Sequence, residues 1–282
     1  MTNARGGAPS LVGATLTLLM GGALAQLLPL LLGPFIARLF TPAAMGVFTQ
    51  FATVAATVAV AASLRYEQAL PLARADDEAH ALLALSLRLV AVAVLVSAPL
   101  AWLLHVAGWL PWPALLPLAV ASAGTLQVLM LWANRAHRFR ALAASRVVQY
   151  GGMALLQLAL GWALWRSVAS GAQAAWALIL APMAAQVLAC LWLMRPVPAG
   201  GWAKLLRPAS ADLRDRMRAQ ARRHKDFALI NTPHAFLGTL QDALAVALLV
   251  AWSGDAAAGF WGLALRYLKA PATLVGSAVS QA

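Results

Sequence analysis

The sequence predicts an all-α fold, a polytopic transmembrane helical bundle of about eight spans, and three observations lead there. Of the 282 residues, 62% are hydrophobic and only 11% charged, with a mean hydropathy of +0.76. That is more apolar surface than a water-soluble core of this length buries. A bilayer core about 30 Å thick is crossed by roughly 20 helical residues. Apolar stretches of that length recur near 11–33, 44–64, 81–104, 114–133, 147–165, 174–194, 228–251 and 258–280. Finally, nearly all Lys and Arg residues fall in the intervals between those stretches, as membrane insertion favours.

Taken in order, the first run continues from Leu11 to about Leu32 without a short apolar region and small-residue cleavage site, so it is read as a retained helix. Small residues spaced by three or four, Gly21 and Ala25 in the first span and Ala52, Ala56 and Ala59 in the second, let helices approach closely. Asp76, Asp77 and Glu78 read as the acidic first turn of the helix leading into the third span, favoured by its dipole. Proline recurs at Pro29, Pro34, Pro99, Pro117, Pro182, Pro233 and Pro271. Each removes a backbone donor and bends its helix, either as a tolerated kink or as a hinge in a transporter opening alternately to two sides.

The longest polar interval, 195–226, carries nine Lys or Arg against three Asp and divides the chain. The expected domains are therefore 1–194, a six-helix transmembrane lobe; 195–226, a basic cytoplasmic connector; and 227–282, the first two helices of a second lobe. Within the connector, Pro196, Pro198, Gly200 and Gly201 predict an irregular exit from the sixth span. Ser210 then caps a helix in which Asp212 faces Arg216 and Arg214, Arg218 and Arg222 form a cationic stripe. Leu213 and Met217 give it a thin apolar face, and its charge places it near anionic headgroups. Seventeen Lys and Arg fall on the side holding the N-terminus, against Arg38 and Arg166 on the other, which predicts a cytoplasmic N-terminus. Tryptophans near the span ends, among them Trp102, Trp109, Trp252 and Trp261, read as interfacial belts.

Residues 41–48, entering the second span, are similar to 254–261, entering the eighth: an offset of 213 residues carries Ala43, Ala44 and Gly46 onto Ala256, Ala257 and Gly259. An alanine-rich chain yields such a match cheaply, but the spans keep the same phase. A two-lobe unit on this repeat is about twice that offset in length, so the 282 residues are expected to hold one lobe and the first third of another.

The charge balance of +12 lies in loops between apolar spans, so nucleic acid is not an expected partner. The histidines at 80, 105, 137, 224 and 234 lack metal-ligand spacing, and the lone Cys190 excludes an internal disulfide. Gly6-Gly7 and Gly21-Gly22 lack the GK[ST] and the preceding strand of a phosphate loop. No enzyme, cofactor or ATP site is expected.

The stretch Leu64-Arg-Tyr-Glu-Gln-Ala-Leu-Pro-Leu-Ala-Arg-Ala-Asp-Asp-Glu-Ala79 resembles the corresponding loop of bacterial polysaccharide flippases, members of the multidrug/oligosaccharidyl-lipid/polysaccharide exporter superfamily. Stretches 37–48, 131–140, 226–233 and 265–271 are similar in the same order. The resemblance implies a multi-pass protein of the bacterial inner membrane. It would carry an undecaprenyl-pyrophosphate-linked oligosaccharide to the periplasmic leaflet by alternating access, with membrane lipids and polysaccharide polymerase machinery as partners. Two alternatives stand beside it: a drug or metabolite cation antiporter of the same superfamily, and a truncated, non-transporting membrane protein.

Six candidate substrate-binding residues follow. Asp242, Arg266 and Lys269 are ionisable groups inside apolar spans, which are costly and usually face a partner or a watery cavity. Counted at 1.5 Å per residue from their helix ends, Asp242 and Arg266 lie at similar depth. They either pair and lock two helices, or line a central cavity where Arg266 and Lys269, on one helix face, receive the pyrophosphate that the resemblance implies. Arg38 is either a snorkelling interfacial arginine or a guard of the outer mouth. Arg65 and Glu67 form an anchoring or gating ion pair, or contact substrate.

Overall fold

The computed structural model describes residues 11–165, 174–195 and 210–279, with side chains at 20–164, 174–195 and 210–268. These residues are mostly helical, with no strand among them. Helix α1 runs Leu11–Leu39, α2 Pro42–Ala61, α3 Asp76–Val106, α4 Leu115–Arg135, α5 Phe139–Trp165 and α6 Ala175–Met194. A short helix, α7, spans Ala211–Arg223, and α8 spans Thr232–Val279. Arg166, Lys204, Arg207 and the Pro/Gly exit at 196–201 lie outside the described residues, as does the side chain of Lys269. Seven elements are long and apolar enough to cross a membrane, the last of them Phe227–Leu268.

Local chemistry sets the element ends. Thr41 caps α2, its hydroxyl accepting the Ala44 N–H at 3.2 Å, with Pro42 at the first helical position where its missing donor costs nothing. α3 closes on Gly108, φ +78°: the Gly108 N–H reaches the His105 carbonyl at 2.9 Å and the Trp109 N–H reaches Leu104 at 2.8 Å. This double bond to the last free carbonyls needs a left-handed residue, which glycine supplies without strain. α1 runs through Pro34 to Leu39, six residues beyond the predicted end at 33. Likewise α5 begins at Phe139 instead of 147, because Arg140 and Arg146 are good helix formers and do not end a helix where the apolar run ends.

Two alanine-rich clusters fill the lobe. One joins α2, α3, α4 and α6 around Leu82, Leu126 and Ile179; the other joins α1, α2, α5 and α6 around Ile36, Phe40 and Leu178. Only 6% of the most apolar window of α8 is buried, against 50% in α6.

α8 is broken at Gly254, φ +77° and ψ 174°, into arms 232–253 and 255–279. Both arms lie on α2 and run in opposite directions. On the first arm Thr239 meets Thr57, whose hydroxyl donates to the Thr239 carbonyl at 3.1 Å, and Val250 shares a pocket with Val47. On the second, Gly259 packs on Pro42 and Gly262 on Thr49. The chain thus doubles back at Gly254.

The loop after α2 was not foreseen in detail. Leu64 and Arg65 are both left-handed, φ 49° and 61°, and turn the chain into a 3-10 helix at Tyr66–Leu72. Non-glycine residues hold that conformation only when their surroundings fix it. Glu67 provides the fixing: fully buried, it accepts the Ser63 hydroxyl and, at 2.8 Å, the Gln127 amide of α4.

Candidate functional site

A cavity of about 420 Å³ lies between α1, α2, α5 and both arms of α8. α1 contributes Gln26 and Pro29, α2 Thr49, Ala52 and Thr53, and α5 Tyr150; the arms of α8 contribute Thr239 and Asp242, then Gly262 and Arg266. The depth reckoned from helical rise thus holds, since Asp242 and Arg266 do line one cavity from adjacent arms. One terminal nitrogen of Arg266 is buried with no hydrogen-bond partner among the described residues. A buried unpaired cationic donor is costly, so a site that brings an oxyanion to it gains that cost back.

The threonines are directed by their own helices. Thr49 donates to the Met45 carbonyl at 2.8 Å, Thr53 to Gln50 at 3.0 Å and Thr239 to Phe236 at 3.0 Å, so their hydroxyl protons are spent within the helix. Their remaining lone pairs accept. The lining therefore combines hydroxyl acceptors, the Gln26 amide and the Tyr150 phenol with one carboxylate and one guanidinium.

The wall is also internally symmetric. Under the 213-residue offset, Gln26 corresponds to Thr239, Pro29 to Asp242, Thr49 to Gly262, Ala52 to Leu265 and Thr53 to Arg266, and all ten line this cavity. The helix crossing beside it shows the same reciprocity. A Cβ at Gly46 would overlap the carbonyl of Asp255, and one at Gly259 the carbonyl of Pro42; Asp255 and Gly259 correspond to Pro42 and Gly46. Equivalent residues meeting each other's counterparts is the contact pattern of a two-fold axis. The sequence offset hinted at the repeat; that the axis passes through the cavity emerges only in three dimensions.

The other candidates lie elsewhere. Arg38 is exposed beside Phe35, Leu155 and Trp162, in an apolar groove between α1 and α5. Glu67 is sealed in the 3-10 loop, where burial pushes its carboxyl above the usual range while Ser63, Arg65 and Gln127 pull it back. Arg65 sits in the same loop, its Nε buried without a hydrogen-bond partner among the described residues. These two hold the loop together, away from the cavity that Asp242 and Arg266 share. Among the described residues, no three His, Cys, Asp or Glu side chains converge as a bound metal requires.

Sequence reasoning missed the second face of the connector. Asp212 does pair with Arg216 at 3.0 Å, and Ser210 caps α7 by accepting the Leu213 N–H at 3.3 Å. But Arg216 also reaches Asp77 at 2.8 Å and Arg223 reaches Glu78 at 2.7 Å, while Arg88 donates to the Met217 sulfur at 3.0 Å. Tyr66 donates to the Ala221 carbonyl at 3.2 Å. Asp77 and Glu78 of the acidic turn, read from sequence only as dipole partners, dock α7, while Asp76 pairs with Arg135 of α4 at 2.9 Å. No family model, curated protein or solved structure matches the chain.

Proposed function

We propose that the protein is a membrane transporter, flipping an undecaprenyl-pyrophosphate-linked oligosaccharide across the bacterial inner membrane by alternating access. The observation that carries this reading is the cavity on the pseudo-two-fold axis, whose lining includes Arg266, a residue with one terminal nitrogen buried and without a hydrogen-bond partner among the described residues. Transporters built from repeats place their substrate at the repeat interface near the bilayer midplane. A guanidinium there suits a pyrophosphate, which accepts paired, charge-assisted hydrogen bonds. Asp242, on the other arm, lines the same cavity, and in this reading its carboxylate repels an arriving anion, which favours release.

In this reading α8 crosses the membrane twice, turning at Gly254, for eight crossings in all, and the N-terminus and α7 lie in the cytoplasm. Support comes from the opposed directions of the two arms on α2 and from the cations around α7. A reporter active only outside the cytoplasm is expected to be active when fused after Gly254 and silent after Ala209; activity at Ala209 contradicts the topology. Export is tested in cells lacking their own flippase. The chain is expected to restore surface polysaccharide and Arg266→Ala to lose it at equal expression. Restoration by both removes Arg266 from the pathway.

A further inference from the structure

At the end of the bundle opposite α7, two glycine turns converge on a second pocket. Gly108 closes α3 and Gly254 reverses α8, both with positive φ. Between them and α2 lies a cavity of about 560 Å³, within the roughly 300–1,000 Å³ of small-molecule sites. It is separate from the central cavity: none of the residues lining one lines the other. One wall carries Trp109, 45% exposed, on the turn that Gly108 sets, with Pro111 beside it; the other carries Asp255 at the start of the second arm of α8. Gln50 from α2 and His105 from α3 complete the polar lining.

The chemistry of this lining is specific. The Nδ1 of His105 lies 2.7 Å from the Leu110 carbonyl, and a carbonyl only accepts, so Nδ1 carries the proton and donates. In the neutral ring Nε2 is then an acceptor. The pocket therefore offers an aromatic face, an amide that both donates and accepts, an imidazole acceptor and a carboxylate acceptor, with no Lys or Arg in its lining. An anion finds no counter-charge there. A quaternary cation is recognised by a cage of several aromatic faces, and only one indole lines this pocket. A pyranose, with an apolar C–H face and a rim of hydroxyl donors, matches an indole flanked by several acceptors.

We infer that this pocket is a saccharide subsite, taking a neutral, hydroxyl-rich unit with its C–H face on Trp109 and its hydroxyls on Asp255, Gln50 and His105. The inference deepens the flippase reading and rests on it for the role of the sugar, as the glycan part of a cargo whose pyrophosphate meets Arg266. It further places a sugar contact on Asp255, next to the turn of α8 at Gly254, so that glycan binding is felt at the reciprocal contact between Asp255 and Gly46.

The test is saturation-transfer NMR on the detergent-solubilised chain, with maltotriose as the neutral probe and tetraphenylphosphonium as the cationic one. Maltotriose ring protons are expected to show enhancement with the wild type and with the surface control Arg218→Ala, and to lose about fivefold or more with Trp109→Ala and Asp255→Asn. Trp109→Phe keeps a ring face and retains most of the signal; it and Asp255→Asn decide the matter if Trp109→Ala aggregates. No enhancement with the wild type, enhancement of tetraphenylphosphonium instead, or maltotriose signals untouched by both substitutions overturns the subsite. Restoration of surface polysaccharide by the wild-type chain in flippase-deficient cells is a separate readout. Sugar binding by a chain that restores no export sinks the flippase reading alone, whereas failed sugar binding by a chain that restores export sinks only the subsite.

Discussion

Glu67 carries both a burial cost and its compensation. Its folded carboxyl titrates above the unfolded value of 4.5, because burial outweighs the hydrogen bonds and the nearby Arg65. A carboxyl raised in the folded state binds more protons there than in the unfolded chain. Its stabilisation is therefore complete below pH 4.5 and is lost as pH rises through the folded value. Thermal unfolding in detergent is expected to show the wild type losing stability across that window. Glu67→Gln, which has no charge to desolvate, is expected to flatten it. Glu67→Ala strands the Ser63 hydroxyl and Gln127 amide and is expected to cost about 1–3 kcal/mol. A wild type whose melting is flat with pH contradicts this assignment.

At the same scale, sequence was informative where depth alone decides. Asp242 and Arg266 sit on helices whose rise fixes their level, so their sharing one cavity was legible. The Glu67–Gln127 bond was not, because its partners are 60 residues apart on elements whose facing depends on packing.

Among elements, α7 is a latch held at several exposed points. Each of its pairs with Asp77 and Glu78 is solvent-accessible, so it is individually weak and screened by salt. The Glu78 carboxyl is held below the usual range, first by the Arg74 N–H and further by Arg223. This contribution is present above the unfolded value of 4.5 and is lost as pH falls through the folded one. Raising salt to about 1 M shortens the screening length to about 3 Å and is expected to free α7, read as faster amide exchange over 214–223. Tyr66→Phe, which removes the bond to Ala221, adds to that effect. Exchange indifferent to salt argues that apolar contacts at Met217 hold the helix instead.

The crossing of α2 with the second arm of α8 depends on two glycines that leave no room for a Cβ against backbone. Gly46→Ala and Gly259→Ala are each expected to destabilise by about 1–3 kcal/mol and to widen the cavity wall. Gly238, with nothing within 4 Å of a Cβ, tolerates Ala and gains up to about 1 kcal/mol of helix propensity. Equal melting temperatures for all three variants would falsify the close crossing. Most helices were legible because each carries an unbroken apolar run. The 3-10 loop was not, since left-handed Leu64 and Arg65 violate local preference and are imposed by the buried Glu67 network.

On the scale of the whole molecule, helices α1 to α6 support a helical hairpin, α8, of whose most apolar window only 6% is buried. Composition fixed the membrane class, since no soluble core accommodates 62% hydrophobic residues at this length. The offset between residues 41–48 and 254–261 suggested a repeat, and its reciprocity at Gly46 and Gly259 gives that repeat a physical axis. What the letters alone could not reveal was that charge breaks this symmetry within one cavity: Pro29 and Thr53 have Asp242 and Arg266 as their counterparts, so both charged groups lining the cavity come from α8. In the proposed transport cycle, a site charged on one side would bind and release an anion as that side moves relative to the other.

The most direct test of this account is transbilayer movement in proteoliposomes of a fluorescent polyprenyl-pyrophosphate oligosaccharide, measured by access of a soluble quencher. The chain is expected to move it, and Arg266→Ala to slow movement about ten- to a hundredfold, the equivalent of one bidentate charge-assisted contact. Equal rates with Arg266 and with Ala at that position, or movement no faster than in protein-free vesicles, would contradict it.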